Sequence, residues 1–296
     1  MKKGLLFLII SLFSINLFSQ EWMNCGSENP VAPSVILLSN SQKEISVRFT
    51  LGGFYKEETL TPNGLQYFIS APKMASMLEE GSPDLPLFAI PVLIDDQAEM
   101  EIQVKEVQYQ DFESIEIAPS KGNFSREINP ESVPYRYGEV YSQDRFFPSF
   151  QARLDEPYIL RDFRGQNIMV YPFAYNPVTK SLRVYTDMVL TMVKKSDNGR
   201  NTKTARKATM KMTPEAKAMY GHRFINFEES MSKYPFVPDE GEMLVICPPA
   251  YLNAMQPFVD WKNESGRPTT LVSLSDIGGN NCDQIKSFIL SHYNNP

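Results

Sequence analysis

The sequence predicts an all-β antiparallel sandwich followed by the beginning of a parallel α/β domain, and three observations carry that reading. Between residues 34 and 193 the apolar residues come in short alternating runs broken by Pro, Gly and Asn, with no convincing amphipathic helix among them. Beyond Gly241 the pattern turns to continuous apolar runs separated by helical ones, which is strand, helix, strand, helix order. A basic, polar stretch lies between the two regions. At 296 residues the chain exceeds the ~250 at which single cores stop growing, so two folding units are expected.

The chain opens on MKKGLLFLIISLFSINLFS, with two lysines, an apolar core from Leu5 to Ile15 and a small residue, Ser19, at its end. Residues 1–19 read as a secretory signal peptide, so the expected location is secreted or at the cell surface. That apolar core is shorter than the ~20 residues of a spanning helix, and no later segment reaches that length, so no stable membrane span is expected.

Residues 20–193 are assigned to the β-sandwich. Strand runs are EISVRFTL (44–51), LQYFI (65–69), EMEIQV (99–104), FESIEI (112–117), QNIMVYPFAY (166–175) and SLRVYTDMVLTMV (181–193). In EMEIQV, Met100, Ile102 and Val104 share one face and Glu99, Glu101 and Gln103 the other, the two-residue period of a half-buried strand. Asn176-Pro177-Val178-Thr179-Lys180 sits between two such runs and predicts a hairpin turn.

Residues 194–240 read as a flexible basic linker and a helix. From Lys194 to Lys217 there are eight basic and two acidic residues, whereas residues 20–193 hold fourteen basic and twenty-four acidic ones. Thr213-Pro214-Glu215 supplies a helix cap with Pro in the first turn, ahead of AKAMYGHRF, where His222 is expected at the surface. Residues 241–296 start the α/β domain. GEMLVICPP is a strand suited to burial on both faces, and Gly266 stops a helix carrying Phe258, Val259 and Trp261. TTLVSL (269–274) is the second strand, and CDQIKSFILSHY (282–293) is a helix with Ile285, Phe288, Ile289 and Tyr293 on one face.

The net charge of −6 gives no case for nucleic-acid binding. Cys25, Cys247 and Cys282 are too widely spaced for a metal knuckle or a disulfide scaffold. A Cys247 to Cys282 bridge is one reading; buried or idle thiols are the favoured one. His222 and His292 are the two histidines, and no HExxH, GxSxG or P-loop pattern is present, so no catalytic residue is assigned.

Three stretches, GSPDLPLFAIPVLI (81–94), PYILRDFRGQNIMVYPFAYNPVTKSLRVYT (157–186) and MLVICPPAYLNAMQPFVDWKNESGR (243–267), resemble the precursors of the gingipain family of secreted cysteine endopeptidases. The first two look like the family's N-terminal propeptide and the third like the start of its caspase-like catalytic domain. The resemblance implies a Cys nucleophile and a His-Gly pair on later strands, and neither motif is in these residues. Cys247 and His292 are therefore structural, and this stretch alone is expected to show no peptidase activity. Implied partners are the chain's own catalytic domain, with the propeptide in its cleft, and protein or peptide substrates. No cofactor is assigned to this chain, its metal sites are unknown, and the resemblance allows calcium only in a complete catalytic domain.

Two groups of residues follow for function. SKGNFSREINP (120–130) surrounds Arg126 with turn formers, and the resemblance implies a propeptide basic residue lodged in the substrate pocket. Arg126 is the candidate inhibitory anchor, with Lys121 and Arg136 as alternatives. Lys194, Lys195, Arg206, Lys207, Arg223 and Lys233 are candidates for maturation cuts, with Lys233 favoured for the last. The expected function is a secreted cysteine endopeptidase precursor whose propeptide inhibits and assists folding. The alternatives are a secreted β-sandwich binding or adhesion module with an inactive α/β remnant, and a processing protease of the secretion machinery.

Overall fold

A computed structural model describes residues 20–204, 211–231, 237–238 and 242–294. The expected signal peptide, residues 1–19, lies outside them. The chain divides into two compact units, one comprising residues up to Thr204 together with Phe224–Phe227, the other Ala205–Arg223 with Glu228–Pro296.

In the first unit the strands are β1 (Gln20–Asn24), β2 (Ser34–Asn40), β3 (Glu44–Thr50), β4 (Gly53–Thr61), β5 (Gly64–Ser70), β6 (Ala75–Ser76) and β7 (Pro86–Leu93). They continue with β8 (Glu99–Phe112), β9 (Ala152–Leu154), β10 (Tyr158–Leu160), β11 (Phe163–Val170), β12 (Phe173–Asn176) and β13 (Ser181–Ser196). One sheet runs β1-β4-β5, a second β10-β11-β7-β6 with β9 on β11, and a third β12-β13-β3-β2 with β8 on β13. Every strand pairing in this unit is antiparallel, as the alternating runs predict. The sheets share one core. Phe54 of the first sheet meets Phe112 and Phe173 of the third edge-on, at 5.3 and 5.5 Å, and Phe49 of the third lies 5.8 Å from Phe88 of the second.

The expected hairpin forms where predicted. Asn176 pairs with Ser181, and its side-chain oxygen accepts from the backbone N–H groups of Val178 and Thr179. EMEIQV opens β8 with Met100, Ile102 and Val104 packed on the core and Glu101 and Gln103 exposed. Two runs differ from expectation. QNIMVYPFAY is two strands, because Pro172 has no N–H for a ladder and the chain breaks there. FESIEI is not a strand: Ser114 takes φ +61°, after which Ile115 donates to Lys180 and Glu116 accepts from Tyr67. Its alternation is real, since Ile115 and Ile117 are buried, but its backbone crosses between neighbours instead of following one.

A charged fork joins β8 to β13. Arg183 donates through Nε and Nη2 to the two oxygens of Asp111, both at 2.8 Å, with its guanidinium 4.1 Å over the Tyr109 ring. The hydrogen bond to Arg183 holds the Asp111 carboxyl below its ordinary value. The folded pKa is depressed, so this pair stabilises above the unfolded carboxylate value of about 3.9 and is lost as pH falls through the lower folded value. Asp111→Asn should cost about 1 kcal/mol at neutral pH, a figure reduced for partial exposure. Urea midpoints of wild type and variant should converge below about pH 3. A gap that persists in acid would show that the charge is not its source.

The second unit holds β14 (Lys211–Met212), α1 (Pro214–Arg223), α2 (Phe227–Met231, whose first residue counts with the other unit) and β15 (Val237–Pro238). β16 (Met243–Cys247), α3 (Leu252–Glu264), β17 (Thr269–Ser273) and α4 (Cys282–Asn294) follow. The Thr213 hydroxyl accepts from the Ala216 N–H, the predicted cap. β16 and β17 pair in parallel from Met243 opposite Thr269 to Cys247 opposite Ser273. Gly266, at φ +79°, ends α3. Burial departs from expectation: Met243 to Ile246 are half-buried among the described residues, because β16 pairs with a single strand. On α4, Ile285 and Phe288 are half-buried, while Ile289 and Tyr293 are 47% and 57% exposed.

Candidate functional site

The segment following β8 is threaded through the first unit before it projects. Ala118 donates to Tyr67, and Ser120 both donates to Ser82 and accepts from Gly81, fixing the entry to the loop. At the exit, Gly138 donates to the Gly81 carbonyl at 2.8 Å. A Cβ on Gly138 would stand 2.9 Å from that oxygen, and Gly81 itself takes φ +78°. Two glycines thus close a neck that side chains would hold open. Tyr137 donates to the Thr61 hydroxyl at 3.0 Å and Tyr141 to the Ile117 carbonyl at 2.9 Å. Burial pushes the Tyr141 phenol well above its ordinary pKa, so it remains a donor.

Beyond the neck, the loop is braced from within. Asn129 accepts from Glu131 and caps a short 3₁₀ turn at Pro130–Ser132. Lys121 donates to the Pro130 carbonyl at 2.9 Å and lies 4.4 Å over the Tyr135 ring. Arg136 pairs with Glu80 at 2.9 Å. Arg126 sits in the turn closed by the bond from Ile128 N–H to the Ser125 carbonyl; it is exposed and has no hydrogen-bond or ion-pair partner among the described residues. Of the three candidate cations, Lys121 and Arg136 are engaged within the loop's own frame and Arg126 is presented outward. A guanidinium on a braced projection can enter a cleft at little ordering cost and pair two-pronged with a carboxylate there.

The processing candidates separate. Lys194 and Lys195 are not in a tether: β13 runs through them, Lys194 pairs with Asp197 and Lys195 with Glu99. Residues up to Lys203 also stay pinned, Gly199 donating to Gln97 and Lys203 to Asp96. The linker reading from 194 onward fails because Glu99, Asp95 and Asp197 neutralise a charge run that looked solvated. Arg223 ends α1, and Arg206, Lys207 and Lys233 lie outside the described residues. Lys194 and Lys195 should therefore be spared in the first cuts of a brief trypsin treatment, as read by mass spectrometry of the first fragments. Early cleavage at Lys194 would contradict the strand.

His222 is exposed, and all three cysteines are free, Cys25 and Cys247 buried and Cys282 exposed. Burial pushes the Cys25 thiol up to about 11, which leaves it unreactive. Among the described residues no group of three or more His, Cys, Asp or Glu side chains could hold a metal ion. No described helix is long and apolar enough to cross a membrane. The neck formed by Gly81, Gly138, Tyr137 and Tyr141 was not foreseen, although Gly81 opens one of the stretches that carried the family resemblance.

The chain matches Propeptide_C25 over residues 27–234 and Peptidase family C25 over residues 237–296. It belongs to the Propeptide_C25 family. Gingipain R1 of Porphyromonas gingivalis is 33% identical over 263 residues, which are 88% of this chain and 26% of that protein. Gingipain R2 of strain W83 is 33% identical over 262 residues, 88% of this chain and 35% of its own length. The solved complex of Porphyromonas gingivalis RgpB pro- and mature domains matches at TM-score 0.60 and 33% identity, covering 66% of this chain and 97% of that one. A structure of gingipain K shares the fold at TM-score 0.52 and 18% identity, covering 60% of this chain and 100% of that one. The C25 match bears out the resemblance read from the sequence: a gingipain-type propeptide followed by the start of a peptidase domain. It gives the adhesion-module alternative no support.

Proposed function

We propose that this C25 chain is the N-terminal part of an exported cysteine endopeptidase precursor, and that the β unit blocks the active-site cleft of its own catalytic domain until maturation. The observation that carries the reading is the braced loop with Arg126 as its one outward, unengaged cation. Support also comes from the similar RgpB structure, which is a complex of pro- and mature domains. The expected substrates are proteins or peptides, and the location is secreted or at the cell surface. The test is to titrate residues 20–296 into the mature peptidase encoded by the complete gene. Inhibition that a peptide substrate relieves competitively is the expected result; full activity at saturating chain would overturn the proposal.

A further inference from the structure

Phe224–Phe227 belong to the β unit although the chain on both sides of them belongs to the other. The four residues fill a slot formed by the open edge of β7 at Pro91–Leu93 and by Tyr158, Phe163 and Gly165 of β10 and β11. Phe224 and Asn226 are each 1% exposed and Phe227 is fully buried. The Asn226 carboxamide does what a neighbouring strand would do at Leu93: its oxygen accepts from the Leu93 N–H at 2.8 Å, and its nitrogen donates to the Leu93 carbonyl at 3.0 Å. That nitrogen also donates to Asn40 at 3.1 Å. Ile225 donates to the Pro91 carbonyl. Phe224 stacks on Tyr158 with ring centres 6.3 Å apart, and Phe227 meets Phe163 edge-on at 5.6 Å. Gly165 makes the space, because a Cβ there would stand 2.5 Å from the Phe224 ring.

This arrangement has the features of peptide recognition: two aromatic anchors in apolar seats, with one amide reading a strand backbone between them. We infer that the slot is a docking site for the chain's own Phe224-Ile225-Asn226-Phe227 segment, and that it holds this segment after the backbone is cut between residues 205 and 210. On the reading given under Proposed function, the slot is a latch. A cut at Arg206 or Lys207 leaves the peptidase side attached to the propeptide through the slot, and release requires a second cut beyond Met231, where Lys233 lies.

The test is independent of C25 activity, so its failure is distinguishable from failure of the inhibitor reading. In the chain of residues 20–296, residues 205–210 are replaced by the recognition site of an unrelated, sequence-specific protease. The protein is cut there, and the two fragments are followed on dilution by size exclusion and by fluorescence anisotropy of a label at Cys282. Wild-type fragments should stay together at micromolar concentration. Asn226→Asp, which turns a donor into an acceptor facing the Leu93 and Asn40 oxygens, should dissociate about 10- to 100-fold more readily. Gly165→Ala should do the same by filling the Phe224 seat. Circular dichroism of the uncut variants checks folding; should Gly165→Ala fail to fold, Asn226→Asp and Phe224→Ala decide. Wild-type fragments that separate at once, or folded variants that hold as tightly as wild type, would overturn the inference.

Discussion

Arg126→Ala should weaken inhibition of the mature peptidase by roughly thirtyfold to several thousandfold, which corresponds to about 2–5 kcal/mol. The range is that of truncating one partner of a hydrogen-bonded charge pair in a largely dry site, where most of the loss is the carboxylate left behind without a counter-charge. The same substitution should leave the chain's own stability within about 0.5 kcal/mol, since Arg126 is exposed and has no partner among the described residues. That separation of effects is the control. Arg126→Lys should lie between, because an ammonium keeps the charge and loses the fork. Lys121→Ala and Arg136→Ala should act the other way round. Both side chains brace the loop, so they should disturb local order more than pocket binding. Inhibition constants for wild type and Arg126→Ala that agree within a factor of about two would remove Arg126 as the anchor, a change under half a kcal/mol.

The sequence revealed most where the determining physics is local. The two-residue period of EMEIQV, the Asn176 turn and the Thr213 cap each depend on neighbours within a few positions, and each is found as read. The Arg126 loop was legible for the same reason, since Gly122 and Asn129-Pro130 are turn formers whatever surrounds them. FESIEI misled because alternation reports which side chains are buried and not which strand the backbone joins. Lys194 and Lys195 misled because, besides the local Asp197, the carboxylates that pair with them lie on other segments, Asp95 and Glu99 almost a hundred positions earlier. The loop's neck and the Asn226 slot were invisible for a related reason. A glycine, a tyrosine and an asparagine carry no mark of a distant backbone that needs them.

Arg164 is the plainest such case, and its loss should be the most damaging single change in the β unit. In RDFRGQN it reads as one more polar residue, yet it is 1% exposed. Its guanidinium donates to four backbone carbonyls: Asp95 at 2.7 Å, Ala98 at 2.8 Å, Asn201 at 2.9 Å and Arg200 at 2.6 Å. Two of these lie in the turn between β7 and β8 and two in the stretch after β13, so one side chain binds the end of the β unit to its middle. Gly199 marks how closely they meet, since a Cβ there would stand 2.3 Å from the Ala98 carbonyl and 2.7 Å from Arg164 itself. Burial lowers the Arg164 pKa, and the nearby Asp96 and Asp95 oppose that shift. Starting so far above neutrality, the group stays charged at physiological pH. Arg164→Met keeps much of the volume and removes every donor, stranding the Asp95 and Ala98 carbonyls unless residues 197–204 peel away to admit water. The expected cost is about 3–5 kcal/mol, since each stranded group is worth about 1–3 kcal/mol and the peeled segment regains its own hydration. Arg164→Lys should recover only part of it, because three donors on one atom cannot span carbonyls on two segments. Denaturant midpoints measure the cost. A second readout separates the clamp from general packing: Arg200 and Lys203, pinned in the wild type, should become early trypsin sites in Arg164→Met. A stability loss without that new cleavage would mean that Arg164 supports the core and does not hold the strap.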